Sequence, residues 1–404
     1  MYNLGRIHMI MLFGVFLPVG CYQSGSPMTS EDGDSGDEII DSKPDADLAL
    51  GGVSNAGCPP SPDSECIGVQ QETVLSSGDL GSNYFFVDVG GLGSILAGKE
   101  AGSSTVLSLV VFAITAEEAG FAEIPLEEGC EGLRGLSLLA PRAGLEEGQI
   151  VCPDDLFDRW CALALFCVEG ACWLRGVRQA ETGDVVVETL PGGSVPLEKT
   201  NGMIGSGPNA GLEYVDRLCT YGDGIACFDG DSWSTEVPCG VYPELTAASV
   251  LGEWTGDSRI VVVGEEGTLL MEEEDQWASV ETGTEADLAT VAAAGDFLLA
   301  AGEDRLVFLF LEEEPLLCDL AEPFEPVLSH ARFLPMAYGD RRDVVLWSED
   351  GRAFFFSFLE SEAKACELGF QIEGAPRGVG RIGSFADPPV PVTTASKLYG
   401  LAGH

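Results

Sequence analysis

Histidine, the residue that most often acts as a catalytic acid or base, is scarce in this 404-residue sequence. It has three histidines, so a Ser–His or Cys–His dyad in the body of the chain would need His330 or His404. His330 lies in "VLSHARF", whose apolar pattern is typical of a strand or its edge, and His404 is the terminal residue. "GSGPNAG" (Gly205–Gly211) lacks the following Lys-Ser/Thr of a phosphate loop, and no G-x-S-x-G elbow is present. These features disfavour a nucleophile–histidine active site.

Carboxylates are the remaining catalytic option, because the chain has 66 acidic residues. Two positioned carboxylates are sufficient to hydrolyse a glycosidic bond. Recognition of an acidic sugar would also need converging arginines. No motif selects such a set from the arginines, for example Arg175, Arg178, Arg217, Arg305, Arg341 and Arg342. We therefore predict no catalytic residues and favour binding over enzymatic activity.

The 13 cysteines indicate disulfides rather than a metal centre. No C-x-x-C pair exists and histidine is scarce, so we predict no metal site and no cofactor. Setting Cys21 aside leaves 12 cysteines, an even number that in an exported chain predicts pairing. Cys58 and Cys66 bracket the loop "CPPSPDSEC", and Cys167 and Cys172 flank "VEGA". We expect each of these two pairs to bond, the second across a hairpin.

The N-terminus has the pattern of an export signal. Arg6 precedes an apolar segment, Met9 to Val19, whose length of about 11 residues is too short to span a bilayer as a helix. The segment ends at Gly20-Cys21, which resembles the lipobox of bacterial lipoproteins. That resemblance implies a signal peptide over residues 1–20 and a lipid-modified Cys21 that carries palmitate or a similar acyl chain. The alternative is an ordinary cleaved secretory signal.

An acidic segment follows Cys21. Residues 21–56 are rich in Ser, Gly and Asp and poor in large apolar residues, so we expect a disordered acidic tether. The whole chain has a net charge of −46, which disfavours nucleic acid and anionic headgroups as partners. The lipid anchor is thus the only predicted membrane contact. The charge is also explained by solubility, by a salty habitat, or by capture of cations or a basic partner.

A hairpin pattern recurs along residues 57–404. "IVVVGEEGTLLM" (Ile260–Met271) joins two apolar runs through a Gly-containing turn, and six other segments resemble it. The repeat turn glycines are Gly93, Gly170, Gly224, Gly267 and Gly351. Weaker copies have Gly120 or Arg305 at this position. The mean spacing is about 43 residues, which is the length of a four-stranded propeller blade. We expect a positive φ at each of these turns.

Two copies extend to a Trp after an acidic turn, in "GDGIACFDGDSW" (Gly222–Trp233) and "GEEGTLLMEEEDQW" (Gly264–Trp277). They resemble the Asp-box-related β-propeller repeats of photosystem II assembly factor-like and sialidase-like proteins, found in bacterial surface lipoproteins. A strict S-x-D-x-G-x-x-W box is absent, and "SEDGRAF" (Ser348–Phe354) comes nearest to it. The resemblance implies an all-β propeller, with tryptophans packed between blades rather than forming sugar-stacking platforms.

We therefore expect an all-β propeller of about seven four-stranded blades over residues 57–404. Six or eight blades, or a pair of β-sandwiches, are the alternatives. The C-terminal "KLYGLAGH" is expected beside the first blade, where it would close the ring. The predicted function is a non-catalytic platform, lipid-anchored at the periplasmic or surface face of the outer membrane, that binds an unidentified protein or glycan. The alternative is a glycoside hydrolase or lyase that acts on extracellular polysaccharide through paired carboxylates.

Overall fold

The computed structural model describes residues 69–75, 84–90, 94–101, 104–111, 120–125, 132–139, 161–179, 185–206, 217–251, 258–273, 276–294, 297–302, 305–310, 316–319, 328–334, 341–359, 362–372, 378–379, 390–393 and 398–403. All of them belong to one compact unit, Gly51–His404. Their regular structure is entirely β-strand. Among these residues no helix is long and apolar enough to cross a membrane.

The described strands form seven antiparallel sheets of four strands each. Sheet 1 contains β2 (Tyr84–Gly90), β3 (Ser94–Ala101), β4 (Ser104–Val111) and β5 (Gly120–Pro125). Sheet 2 contains β6 (Leu133–Leu139), β7 (Cys161–Val168), β8 (Ala171–Gln179) and β9 (Val185–Ser194). Sheet 3 contains β10 (Thr200–Ser206), β11 (Arg217–Gly222), β12 (Ile225–Phe228) and β13 (Trp233–Val237). Sheet 4 contains β14 (Leu245–Leu251), β15 (Arg259–Gly264), β16 (Leu269–Glu273) and β17 (Gln276–Ser279).

Sheets 5 and 6 are likewise built from four consecutive strands, whereas sheet 7 combines strands from both ends of the chain. Sheet 5 contains β18 (Thr290–Ala294), β19 (Phe297–Gly302), β20 (Arg305–Phe310) and β21 (Leu316–Asp319). Sheet 6 contains β22 (Leu328–Leu334), β23 (Arg341–Ser348), β24 (Arg352–Leu359) and β25 (Glu362–Gln371). Sheet 7 contains β26 (Gly378–Val379), β27 (Val390–Thr393), β28 (Leu398–Gly403) and, on its outer side, β1 (Val69–Leu75). This all-β arrangement of four-stranded sheets is consistent with a propeller-like fold.

The central strand β15 is an almost unbroken apolar run because both of its faces are buried. In β15, Ile260 and Val262 belong to a core cluster shared with sheet 3. The alternate residues, Val261 and Val263, belong to a cluster shared with sheet 5. A strand with one solvated face would alternate apolar and polar residues, whereas burial on both faces favours an unbroken apolar run. The core therefore lies between successive sheets.

Neighbouring sheets contact each other through their first strands. Strand β6 contacts β2 and β10, β14 contacts β10 and β18, and β22 contacts β18 and β26. Strands β26 and β27 of sheet 7 also contact β2 of sheet 1. The C-terminal strand β28 pairs with β1, with Val69 opposite Gly403 and Leu75 opposite Leu398. The C-terminal segment, which was predicted to lie beside the first blade, thus pairs with the N-terminal strand β1 in a sheet that contacts sheet 1.

Five copies of the hairpin repeat occupy the same place in their sheets. Gly170, Gly224, Gly267, Arg305 and Gly351 each lie at, or directly after, the connection between the second and third strands of a sheet. The copy around residue 93 was misassigned, because β2 and β3 are the first and second strands of sheet 1. The copy around residue 120 joins the third and fourth strands of that same sheet. An apolar–Gly–apolar pattern predicts a hairpin without specifying its place in a sheet.

Candidate functional site

One end of the sheets, which we name the turn end, carries the connections between second and third strands. In sheets 2, 3, 4 and 6 these connections are residues 169–170, 223–224, 265–268 and 349–351. The residues that lead into the first strands lie here too. The Asp223 amide donates to the Lys199 carbonyl at 3.2 Å, and the Glu265 amide donates to the Glu244 carbonyl at 2.9 Å. The opposite end, which we name the far end, carries the connections between third and fourth strands.

Glycine is required at the predicted turn positions for two different reasons, a positive φ or a close approach of the backbone. Gly170, Gly267 and Gly351 have φ values of +87°, +68° and +85°, which a residue with a side chain adopts only with strain. Gly224 lies outside the left-handed region. A Cβ at Gly224 would be 2.5 Å from the carbonyl oxygen of Val237. The expected positive φ at Gly224 was therefore wrong, and close approach of the backbone replaces it as the cause.

A second set of glycines at the turn end has a shared geometry that the hairpin repeat did not predict. Gly222, Gly264 and Gly302 end the second strands of sheets 3, 4 and 5. A Cβ at each would overlap a backbone carbonyl oxygen just ahead of the first strand, in Lys199, Glu244 and Asp287, respectively. Each of these glycines is followed by Asp or Glu, and this Gly–acid dipeptide is the sequence signal.

The turn end has a polar seam where sheets 3 and 4 meet. The Lys199 ammonium forms an ion pair with the carboxylate of Glu244. The Asn201 side-chain amide donates to Glu244 Oε1 at 2.9 Å and to the Leu245 carbonyl at 2.8 Å. Hydrogen bonds from Lys199 and then from Asn201 hold the pKa of Glu244 below its ordinary value. Glu244 is therefore ionised at neutral pH.

Two buried polar atoms close to this seam have no hydrogen-bond partner among the described residues. They are Asp223 Oδ1 and Thr200 Oγ1. Asp223 is fixed through its backbone, because its amide donates to Lys199 and its carbonyl accepts from Gly240 at 2.9 Å. A buried carboxylate oxygen without a protein donor retains its capacity to accept a hydrogen bond from a water or a ligand. Asp223 therefore supplies an acceptor at this end.

The turn of sheet 6 fixes another carboxylate. Asp350 contacts the Ser348 hydroxyl, accepts from the Arg352 amide at 3.3 Å, and forms an ion pair with the Arg352 guanidinium at 3.0 Å. Partial burial raises the pKa of Asp350, but hydrogen bonds from Ser348 and Arg352 outweigh it, so the pKa lies below its ordinary value. "SEDGRAF" therefore forms a turn between second and third strands.

The far end also has an ordered acidic turn, in "DGDSW" of sheet 3. Asp229 Oδ1 accepts from the amides of Asp231 at 2.9 Å and Ser232 at 2.8 Å. Backbone hydrogen bonds from Ser232 and then Asp231 hold the pKa of the Asp229 carboxyl below its ordinary value. Trp233 begins β13, and its ring centroid is 5.2 Å from that of Phe228. This turn stabilises the hairpin between the third and fourth strands.

An ion-pair network at the far end joins sheets 3 and 4. The Arg217 guanidinium contacts the buried carboxylate of Glu272 and lies 3.3 Å from Glu236 Oε2. Glu272 Oε2 also accepts from the Ile260 amide at 3.2 Å. Arg175 donates to the Thr189 hydroxyl within sheet 2. Arg217 and Arg175 thus stabilise strands. The side chains of the other arginines named above, Arg178, Arg305, Arg341 and Arg342, lie outside the described part.

The cysteines pair across neighbouring strands. The predicted Cys167–Cys172 bond joins β7 and β8, and a second bond, Cys219–Cys227, joins β11 and β12, each with a Cα–Cα distance of 4.0 Å. Cys239 is an exposed free thiol. The expected pairing is thus confirmed for these two bonds, and Cys239 is an exception among the described cysteines. Within the described ranges, no group of three or more His, Cys, Asp or Glu residues is arranged to hold a metal ion.

Two tryptophans of the described part, Trp233 and Trp277, pack between sheets. Trp233 contacts core clusters shared by sheets 2 and 3. Trp277 contacts the cluster shared by sheets 3 and 4, and Trp347 is fully buried. This is the packing role predicted for them.

Several predicted features lie outside the described residues. They are the signal peptide, the acidic tether, Cys21, Cys58, Cys66 and Gly93.

Comparisons with known proteins inform the fold alone. No family model matches the sequence, and no curated protein matches it significantly. A solved structure, BBS1N in complex with ARL6DN, soaked with mercury, is similar with a TM-score of 0.51. The sequence identity is 11%, and the match covers 83% of this chain and 97% of that chain. The similarity extends over most of both chains and agrees with the all-β arrangement.

Proposed function

We propose that the seven sheets are the blades of a closed propeller, and that the propeller is a lipid-anchored, non-catalytic binding platform. The contacts between first strands support a ring, since sheet 7 contacts both sheet 6 and sheet 1. Pairing of β1 with β28 supports closure by the two chain ends. The lipobox-like Gly20-Cys21 supports the anchor, which would place the protein in the bacterial envelope.

The observation that supports binding over general-acid catalysis is the ionised state of three ordered carboxylates among the described residues. Glu244, Asp350 and Asp229 each have a lowered pKa, with hydrogen-bond donors that hold the ionised form. A general acid needs the reverse, a pKa raised towards the working pH. These groups therefore suit an ionised recognition surface on a rigid scaffold better than proton transfer to a leaving group.

The turn end is the proposed partner surface. Asp223 Oδ1 supplies a buried acceptor without a partner among the described residues, beside the ion pair of Lys199 with Glu244. The net charge of −46 favours a protein or glycan with a complementary basic surface. The structurally similar BBS1N was solved in complex with ARL6DN, which supports a binding role for a domain of this shape.

Affinity capture from isolated envelope tests the platform. The chain from residue 22 onwards is immobilised, and Asp223→Ala is compared with Asp231→Ala at the far end. We expect one component to bind the wild type and the Asp231→Ala variant and to be lost with Asp223→Ala. Because Asp223 Oδ1 has no hydrogen-bond partner among the described residues, we expect Asp223→Ala to keep the fold, which circular dichroism checks. Turnover of envelope polysaccharide by the purified chain would instead favour the hydrolase.

Membrane fractionation tests the anchor separately. Cys21→Ser is expected to release the protein into the soluble fraction, because the acyl attachment is lost. Cys239→Ser, which removes an exposed thiol elsewhere, is expected to remain with the membrane. Membrane retention of Cys21→Ser would refute the lipid anchor and leave the binding test unaffected.

A further inference from the structure

The polarity of β1 shows at which end of sheet 7 the N-terminal segment joins the fold. Thr393 of β27 pairs with Leu398 of β28, so the connection between the second and third strands of sheet 7 lies at Leu398. Leu398 is opposite Leu75, the last residue of β1. Val69, the first residue of β1, is opposite Gly403 at the other end of the sheet. The N-terminal segment therefore joins sheet 7 at its far end.

Hydrogen bonds across the described seams show that adjacent sheets have the same orientation. Asn201, near the start of β10, binds the Leu245 carbonyl at the start of β14. The Thr246 hydroxyl, one residue further along β14, donates to the Leu288 carbonyl ahead of β18 at 2.6 Å. The Ser249 hydroxyl, in the middle of β14, accepts from Ala293 of β18 at 3.1 Å. The first strands of sheets 3, 4 and 5 thus run parallel, with starts against starts, and a closed propeller would extend this direction to sheet 7.

We propose that the anchored molecule presents its turn end away from the membrane. This proposal rests on the proposed propeller and anchor, because the tether would pull on Val69 at the far end. The seven residues of β1, at about 3.3 Å each, separate the two ends by about 20 Å. A partner that approaches from the medium would then meet Lys199, Glu244 and Asp223 first, while the "DGDSW" turn faces the bilayer.

The length of the proposed tether determines how strong this orientation is. If the proposed acidic tether, residues 21–56, is a flexible chain, its root-mean-square span is about 33 Å, longer than the strand length of about 20 Å. The domain is therefore expected to tilt around its attachment point, with the far end nearer the bilayer on average. Shortening the tether restricts the tilt, so the difference in height between the two ends is expected to increase.

Energy transfer to a labelled bilayer tests the orientation without relying on natural lipidation. The chain from residue 22 carries an N-terminal hexahistidine tag and is bound to vesicles that contain Ni²⁺-chelating lipid and an acceptor dye. A donor dye is coupled to azidophenylalanine in place of Asp231 at the far end, or in place of Glu265 at the turn end. Both positions are exposed and lie in neighbouring sheets, which makes them a matched pair.

We expect higher transfer efficiency from residue 231 than from residue 265, and a larger difference when residues 24–50 are deleted. Equal efficiencies in both forms, or higher efficiency from residue 265, would overturn the orientation. Because the tag supplies the attachment, this failure is distinct from a failure of the Cys21 anchor. It is also distinct from a failure of partner capture, which uses no membrane.

Discussion

Gly267 is the residue at which the turn geometry tolerates a side chain least. Its φ of +68° is left-handed, and a Cβ would overlap the carbonyl oxygen of Thr284. The Thr282 hydroxyl donates to the Gly267 carbonyl at 2.8 Å, which fixes the turn against the following loop. Backbone strain and steric overlap therefore act together at this position.

Gly267→Ala is expected to lower the free energy of unfolding by at least about 1–3 kcal/mol, the usual cost of a strained backbone residue. The control is Gly193→Ala, because Gly193 has a similar φ of +74° but no atom within 4 Å of an added Cβ. Denaturant titration of both variants separates strain from overlap. An equal loss of stability in the two variants would show that the contact with Thr284 contributes nothing.

The lowered pKa of Glu244 is expected to make the free energy of unfolding depend on pH. Its folded pKa lies below the ordinary value of 4.5, so the folded state favours the ionised form. The resulting stability is complete above the ordinary value and is lost as the pH falls through the lowered folded value. At pH 7, Glu244→Gln is expected to cost about 0.2–1 kcal/mol, the range for partly exposed ion pairs.

The difference between wild type and Glu244→Gln should decrease towards pH 3, as measured by urea unfolding. Glu198→Gln, an exposed neighbour of the Lys199 partner, serves as the control and should show little difference at either pH. A Glu244 difference that stays constant or grows in acid would contradict the lowered pKa.

At the scale of the strands, the far-end ion pair between β11 and β16 joins two sheets. Glu272 is buried, contacts Arg217 and accepts from the Ile260 amide. Glu272→Gln replaces a charge-assisted hydrogen bond by a neutral one, and we expect a loss of about 1–3 kcal/mol in unfolding free energy. Glu273→Gln changes an exposed neighbour and should remain within about 0.5 kcal/mol of wild type. Equal effects would show that the pair contributes nothing to the seam.

The sequence predicted hairpins better than it predicted their places in the sheets. The unbroken apolar run of β15 and its Gly-containing turn identified a strand pair buried on both faces. The same pattern around residue 93 gave a hairpin between first and second strands, because local turn chemistry does not specify strand order. No copy of the hairpin repeat identified sheet 7, because this sheet combines strands from both chain ends and the connection after Thr393 carries no repeat glycine.

Much of the candidate site could not be predicted because its contacts join residues that are distant in sequence. Lys199, Asn201 and Glu244 meet only where sheets 3 and 4 pack together. The Cys167–Cys172 bond was predictable, since a two-residue turn places the two residues opposite each other. The free state of Cys239 could not be predicted, because an even number of cysteines does not show which of them form bonds with each other.

At the scale of the whole molecule, the free thiol of Cys239 limits how the other cysteines can pair if Cys21 is lipidated. Of the 13 cysteines, removing Cys21 and Cys239 leaves 11, an odd number. If Cys21 is acylated, at least one further thiol lacks a partner within the chain. The lipid anchor and complete pairing of the remaining cysteines are therefore mutually exclusive.

The central claim is that the two chain ends close one ring by sharing sheet 7, and a designed disulfide tests it most directly. Gln71 of β1 is opposite Leu401 of β28, so Gln71→Cys with Leu401→Cys should form a bond in the chain from residue 22. Peptide mass spectrometry without reductant should find residues 71 and 401 joined. The control pair, Gln71→Cys with Tyr399→Cys, is two residues out of register and should link far less. No 71–401 link, or equal linking in both pairs, would contradict closure of the ring by β1 and β28.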